Sequence, residues 1–314
     1  MLAVKTLRNN LNIFRRTVRL MGNQFEISVV ADNPLWAEEK ITSAINEISR
    51  IEKLLSAFSE GSQVTEINRN AGIKPVKVDG EIFRLIERSL QIAQLTHGAF
   101  DITYFSADKN TNDTAEDAIT GIKTLITCGN YQNVIIDPVA MTVFLKEKGM
   151  RIGFAANSKG YAADRAKYVL QMEGVSSGVI NVGGDLLTWG AQPNDEPWTI
   201  ATADPEQEMQ PYAQLNISNM CFATSVNTEK SKNVDSSKPY FNVVNSKKGF
   251  PVSEISSVSI VSPTAELSDA MASPVMAIGV NAGLYLINQL NQIACVIIDD
   301  HNRIYTSKGI SLGN

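Results

Sequence analysis

The stretch AELSDAMASPVMAIG, residues 265–279, decides how this chain is to be read. It is rich in alanine and methionine and apolar enough for a buried helix, yet it carries Asp269 and Ser273. Four residues apart on a helix, a carboxylate and a hydroxyl share one face, one turn from each other. Pro274 follows at once, where a helix interior loses a hydrogen bond and tends to kink. Two hard oxygen donors of this kind suit Mg²⁺, which keeps several waters and takes substrate phosphates to complete its octahedron. On its own, however, such a pair reads more often as a helix with one polar face.

Composition narrows the alternatives. The 314 residues carry 28 basic and 33 acidic side chains, a net charge of −5, which argues against a nucleic-acid partner or an anionic membrane surface. Hydrophobic residues make up 44%, ample material for a core. Cys128, Cys221 and Cys295 form no CxxC pair, so neither a disulfide framework nor a thiolate zinc site is expected, and all three read as buried small apolar residues. With His97 and His301 the only histidines, a bound metal would be a hard cation held by oxygens. No apolar run approaches the ~18–20 residues of a membrane span, so no transmembrane segment is expected. The basic start, MLAVKTLRNNLNIFRRTVRLMG, lacks a signal-peptide core and an anchoring cysteine. The expectation is a cytoplasmic protein or an exported one trimmed of its signal.

Along the chain, RTVRLMGNQFEISVVAD predicts a hairpin around Gly22-Asn23. Pro34 opens a long helix with Ile41, Ile45, Ile48, Ile51, Leu54 and Leu55 at helical spacing. Ser62 caps a short helix, and Asp79 caps another that runs to Thr96 and closes at Gly98. NVIIDPVAMTVFLKEKGMRIGF predicts strand, turn and strand, and AANSKGYAADRAKYVLQMEG a helix ending at Gly174. A closing hairpin is expected in ACVIIDDHNRIYTSK. Residues 106–118 and 229–238 read as polar loops. Helices and strands intermix without a βαβ beat, so the fold class is α+β, with mixed, largely antiparallel sheets packed against helices.

Three further segments carry residues that a pure core would not choose. In ANSKGYAADR, Lys159-Gly160 stands at a helix opening, where N–H groups and the dipole favour anions, although a solvated first-turn lysine reads as well. In INVGGDLLTWG, paired glycines inside a strand suggest a bulge or a close approach of backbone to a ligand. In GAFDITY, Phe100 and Asp101 could stack on and hydrogen-bond a planar heterocycle, or simply turn into a strand.

The order of these segments carries more than any one of them. LMGNQFEI, LLSAFSEGSQVTEINRNAG, THGAFDIT, SKGYAADRA, GVINVGGDLLTWG, FATSV, YFNVVNSKKGFPV and AELSDAMAS follow one another in a succession that resembles the ApbE family of FAD:protein FMN transferases. The resemblance covers roughly residues 17 to 310, which divides the chain into an extension over 1–16 and one domain over 17–314. It implies a T-fold-related α+β fold, with FAD in a cleft and Mg²⁺ against its pyrophosphate. It also implies transfer of FMN from FAD to a Thr or Ser hydroxyl of an acceptor flavoprotein, releasing AMP. The matching metal positions are Asp269, Ser273 and the backbone carbonyl of Ala156. Positions matching flavin or adenine contacts are Met21, Phe58, Ala99, Phe100, Asp101, Gly153, Lys159 and Val243.

The departures cluster. The family's His-x-x-Asp-Pro-x-Thr-Gly reads here NVVNSKKG, with Asn242 for the histidine, Asn245 for the aspartate, Ser246 for the proline and Lys248 for the threonine. Asn242 can hold a geometry but cannot take a proton, so activation of the acceptor hydroxyl needs another group, Asp101 or a metal-bound hydroxide, with Lys159 neutralising charge. Thr-Ser-Gly-x-Tyr becomes Thr224-Ser225-Val226-Asn227-Thr228, and the run before Lys159 gains Ala155, Asn157 and Ser158. Pro274 replaces a small residue and is expected to push Ser273 away from helical dihedrals. Two other readings therefore stay open. One is a degenerate paralogue that binds flavin or a protein partner without catalysis; the other is hydrolysis of FAD to FMN and AMP.

Overall fold

The computed structural model describes residues 11–57, 59–106, 126–203, 211–216, 219–226 and 255–308. Strands β1 (Asn12–Leu20) and β2 (Asn23–Ala31) pair antiparallel, Asn12 opposite Ala31 and Leu20 opposite Asn23. The connecting Met21-Gly22 turn has positive φ at both residues, which places the predicted hairpin turn one residue earlier than read. Because β1 starts at Asn12, the last residues of the 1–16 segment are already sheet.

Helix α1 (Pro34–Leu55) starts where expected. Asn33 accepts from the Leu35 and Trp36 N–H groups, and Pro34 sits where a missing N–H costs nothing. Its buried stripe is Ala37, Ile41, Ala44, Ile48, Ile51 and Leu55. Helix α2 (Gln63–Arg69) is capped by the Ser62 hydroxyl. Helix α3 (Gly80–Leu95) follows Asp79, but the Asp79 carboxylate makes no cap bond; its backbone N–H donates to Gln63 Oε1 instead. His97 and Gly98, both at positive φ, end the helix.

The short strands β3 (Val76–Lys77), β4 (Thr103–Ser106), β5 (Ile126–Cys128), β6 (Val134–Asp137), β7 (Thr142–Leu145) and β8 (Met150–Ile152) come next in order. The single hairpin expected over 133–154 is therefore three strands divided between two sheets, β3-β7-β6 and β5-β4-β8. Helix α4 (Ser158–Met172) ends before Gly174, at φ +90°. After it come β9 (Gly178–Val182), β10 (Asp185–Trp189), β11 (Thr199–Ala203), β12 (Pro211–Asn216), β13 (Cys221–Val226) and β14 (Ile255–Ser262). Helices α5 (Ala265–Ile278) and α6 (Val280–Ile287) lead to the closing hairpin β15 (Ala294–Asp299) and β16 (Ile304–Thr306).

The main sheet has the order β1-β2-β9-β10-β13-β14-β15-β16, antiparallel at every pairing, and β11-β12 form a separate ribbon. This is the α+β class read from the sequence. Helix α4 packs between α1 and α5, and α5 also lies on β13 and β14. Phe25, Ile27, Ile180, Leu187, Val258 and Ile260 face the helices' buried residues in one core. Each such side chain contributes about 1.5–3 kcal/mol by leaving water. Cys221 and Cys295 are buried thiols of that core, as expected, and the Cys128 side chain lies outside the described residues. Among the described residues no helix is long and apolar enough to cross a membrane.

Candidate active site

Helix α5 takes its position from α4. Thr264, at its N-cap, makes no side-chain cap bond; the carboxylate of Asp164, on α4, accepts from the Ala265 N–H (2.9 Å) and the Glu266 N–H (2.8 Å). Two of the helix's orphan donors are thus satisfied from a neighbouring helix. The two helices touch at Gly160, where a Cβ would come 2.3 Å from the Ala265 carbonyl oxygen. Only glycine fits that approach.

The contact brings α4's first turn beside Asp269. The Gly160 N–H donates to Asp269 Oδ2 (3.2 Å) rather than back to Ala156, which leaves the Ala156 carbonyl free of that helical bond. The anion expected at this helix opening is therefore, in this structure, a carboxylate of the protein itself. Lys159 Nζ lies 3.6 Å from Asp269 Oδ1 and 3.7 Å from Asp185 Oδ2. Asp185 Oδ1 accepts from the Thr224 N–H (2.9 Å), and the next residue, Ser225, shares a hydroxyl–hydroxyl hydrogen bond with Ser273 (2.9 Å). Helix α5 runs unbroken through Pro274, so Ser273 stays one turn from Asp269, contrary to the displacement expected from the proline.

Gly183 and Gly184 form a two-residue turn joining β9 to β10, with φ +62° and +107°. They correct the reading of a bulge within one strand: both positive dihedrals are spent on reversing the chain. The Gly183 N–H donates to the Gln24 carbonyl (3.1 Å), which sets this turn beside the β1–β2 hairpin and its Met21. Met21 is itself fixed by its N–H donating to Glu52 Oε1 (2.7 Å).

A second group assembles after α3. Phe100 is buried, and the N–H of Gly153 donates to the Ile102 carbonyl (2.9 Å), which continues the β4–β8 pairing and sets Gly153 beside the chain that follows Asp101. From Gly153 the chain runs through Ala156 into α4, joining this group to Lys159 in a few residues. Asp101 is heavily engaged. Oδ1 accepts from the Thr103 N–H and hydroxyl (2.8 and 2.7 Å), and Oδ2 from the Tyr131 N–H (2.9 Å). Burial raises its pKa, and these bonds partly oppose the rise. Phe58, Asn242 and Val243 lie outside the described residues.

Burial also pushes the Asp269 carboxyl up to about 6, Lys159 opposing and Asp185 adding to the rise. Asp185 is raised for the same first cause. The Asp269 carboxylate, the Ser273 hydroxyl one turn on and the Ala156 carbonyl are hard oxygens, the donor type that could hold Mg²⁺. Asp185 was read only as part of INVGGDLLTWG and not as a site residue, and Asp164 was not singled out. The available signals were Asp185's place directly after the glycine pair and Asp164's place on the helix opened by Lys159.

The ApbE family pattern matches residues 21–297. An FAD:protein FMN transferase of Klebsiella pneumoniae is 27% identical over 282 residues, 86% of this chain and 85% of the relative. One of Treponema pallidum is 24% identical over 320 residues, covering 95% and 87%. Among solved structures, the flavin transferase ApbE of Vibrio cholerae superposes with a TM-score of 0.75 at 17% identity, covering 95% of this chain and 98% of that one. The ApbE protein of Thermotoga maritima gives 0.74 at 22% identity, covering 95% and 97%. With the family pattern spanning most of its length and its fold shared, this chain belongs to the ApbE family.

Proposed function

We propose that this protein is an FAD:protein FMN transferase that uses Mg²⁺ to move FMN from FAD to a Thr or Ser hydroxyl of an acceptor flavoprotein, releasing AMP. The observation that carries the reading is the meeting of Asp269, Ser273 and the α4 start beside Lys159. In the transfer, the acceptor oxygen bonds to the FMN phosphorus as the bond from that phosphorus to the AMP oxygen breaks, and the hydroxyl proton passes to Asp101 or to solvent water. Such a displacement depends on positioning and on charge neutralisation more than on covalent help. Asp269, Ser273 and the Ala156 carbonyl would hold the cation. Bound there, Mg²⁺ would neutralise pyrophosphate oxygens and the charge left on AMP. Lys159 supplies a further positive charge beside the same phosphates. Ala99, Phe100, Asp101 and Gly153 would hold the flavin side, with the domain taken as residues 17–314.

A second reading, flavin binding without transfer, is favoured by two observations. Asn242 stands where the family has a histidine, and both oxygens of Asp101 already accept hydrogen bonds from Thr103 or Tyr131. The experiment is in-gel flavin fluorescence of an acceptor domain incubated with this protein, FAD and Mg²⁺, beside an EDTA control. A fluorescent acceptor that EDTA abolishes supports the transferase. A dark acceptor, lit by another family member under the same conditions, overturns it in favour of the second reading. Within an active protein, Asn242→His is expected to raise the transfer rate; no gain in a variant that still binds FAD would mean the missing histidine does not limit it.

A further inference from the structure

Two carboxylates share one ammonium in this site. Lys159 Nζ stands almost midway between Asp269 Oδ1 (3.6 Å) and Asp185 Oδ2 (3.7 Å), and neither distance is the 2.7–2.9 Å of a charge-assisted hydrogen bond. Asp185 is anchored: its other oxygen accepts from the Thr224 N–H, and the Gly183-Gly184 turn fixes its backbone. Asp269 is equally fixed, by the Gly160 N–H. The member without a hydrogen bond at close range to either carboxylate is therefore the lysine, set between two held groups.

We infer that Asp185 is a positioning residue that holds Lys159 off Asp269, keeping the Asp269 carboxylate open to a divalent cation. The inference rests on the reading of Asp269 as a cation ligand. Without the Asp185 charge, Lys159 has one partner left. Its ammonium closes on Asp269 to contact distance and competes with the cation for the same oxygen. With Asp185 present, the ammonium keeps a second partner and stays beside the site as the cation enters.

The test is a double-mutant cycle read by binding rather than activity. Mn²⁺ binding to the whole chain, without FAD, is followed by the electron paramagnetic resonance signal of free Mn²⁺. The proteins are wild type, Asp185→Asn, Lys159→Met and the double variant. Asparagine retains an acceptor for the Thr224 N–H; Asp185→Ser serves as a second variant, and thermal melts confirm that each protein is folded. Asp185→Asn is expected to weaken Mn²⁺ binding on the order of tenfold, because the freed ammonium then competes at close range. In the Lys159→Met background the same substitution should cost only about twofold, the residual effect of a lost nearby charge. An equal loss in both backgrounds overturns the inference, since Asp185 then acts on the cation without the lysine. No loss in the Lys159 background overturns it as well. Wild type that binds no Mn²⁺ removes the cation reading itself, a failure distinct from either.

Discussion

Helix α4 carries two charged clusters built on opposite plans. Midway along it, Arg165 Nε meets Glu47 Oε1 at 3.0 Å, while Arg50 makes paired bonds of 2.8–2.9 Å to both Glu47 and Glu81. The Tyr161 hydroxyl donates to Glu81 Oε1 at 2.7 Å. Hydrogen bonding to Arg50 holds both glutamates below their ordinary pKa. At the helix start, Lys159 reaches neither carboxylate at hydrogen-bond distance, and burial drives Asp269 and Asp185 up. The first cluster is a finished tie between α1, α3 and α4. The second stops short of neutrality, and a buried carboxylate left partly uncompensated costs stability; the proposed cation would complete it.

The comparison breaks most sharply at Asp269. Asp269→Ala is expected to lower cation-dependent transfer by a hundredfold or more, on the order of 3 kcal/mol of transition-state stabilisation. The melting temperature of Asp269→Asn, which keeps an acceptor for the Gly160 N–H, should hold or rise, because that substitution removes a buried, under-neutralised charge. Transfer assays beside thermal melts check both halves; a large drop in melting temperature would mean this cluster is a structural tie like the other. Gly160→Ala comes next and touches both functions of α4. Its Cβ would press on the Ala265 carbonyl and the Glu266 nitrogen, so a destabilisation of about 1–3 kcal/mol is expected in denaturant titration, together with weaker Mn²⁺ binding. Glu81→Gln should do the reverse of Asp269→Ala. It weakens the ties to Arg50, Arg165 and Tyr161, and costs about 1–2 kcal/mol after allowing for solvent screening. Transfer should stay within about twofold, since no new charge faces the first turn of α4.

Local chemistry was legible in the sequence; tertiary choices were not. The period of residues 34–55, the Ser62 cap and the Asp269/Ser273 spacing each depend on neighbours within a turn, and each is found as read. Asp79 stands at the right position, yet nothing in the sequence shows that its carboxylate stays out of the cap. The glycine pair at 183–184 signals positive φ, and a bulge and a turn need it alike; the partner strand decides. Strands as short as β6, β7 and β8 carry no mark of which sheet they join. The cluster at α4 was half legible. Lys159 and Asp269 were read as site residues by resemblance, but that Asp185 shares the ammonium depends on where the β9–β10 turn falls against α4. The segment 242–249 lies outside the described residues, so the departure that bears most on catalysis rests on sequence alone.

The smallest expected effect, on stability against pH, tests the comparison by sign. Glu47 and Glu81 are lowered from 4.5, so their contribution is fully present above that value and is lost as pH falls through their lower folded values. Asp164, on α4 against the start of α5, behaves oppositely. Burial raises it from 3.8 to about 6, so between those values the folded state binds more protons than the unfolded one, and its term favours folding as pH falls. Melting temperature should therefore hold or rise slightly between about pH 6 and 4.5 and then decline in more acid solution. Asp269, raised to about 6 by burial, adds a term of the same sign, so Asp164→Asn should reduce the upper part, and Glu81→Gln should make the acid decline shallower. A Glu81→Gln protein with an unchanged acid decline would show that the ties of Glu81 to Arg50, Tyr161 and Arg165 contribute little to holding α1, α3 and α4 together. The two clusters would then differ in geometry but not in what they do for the fold.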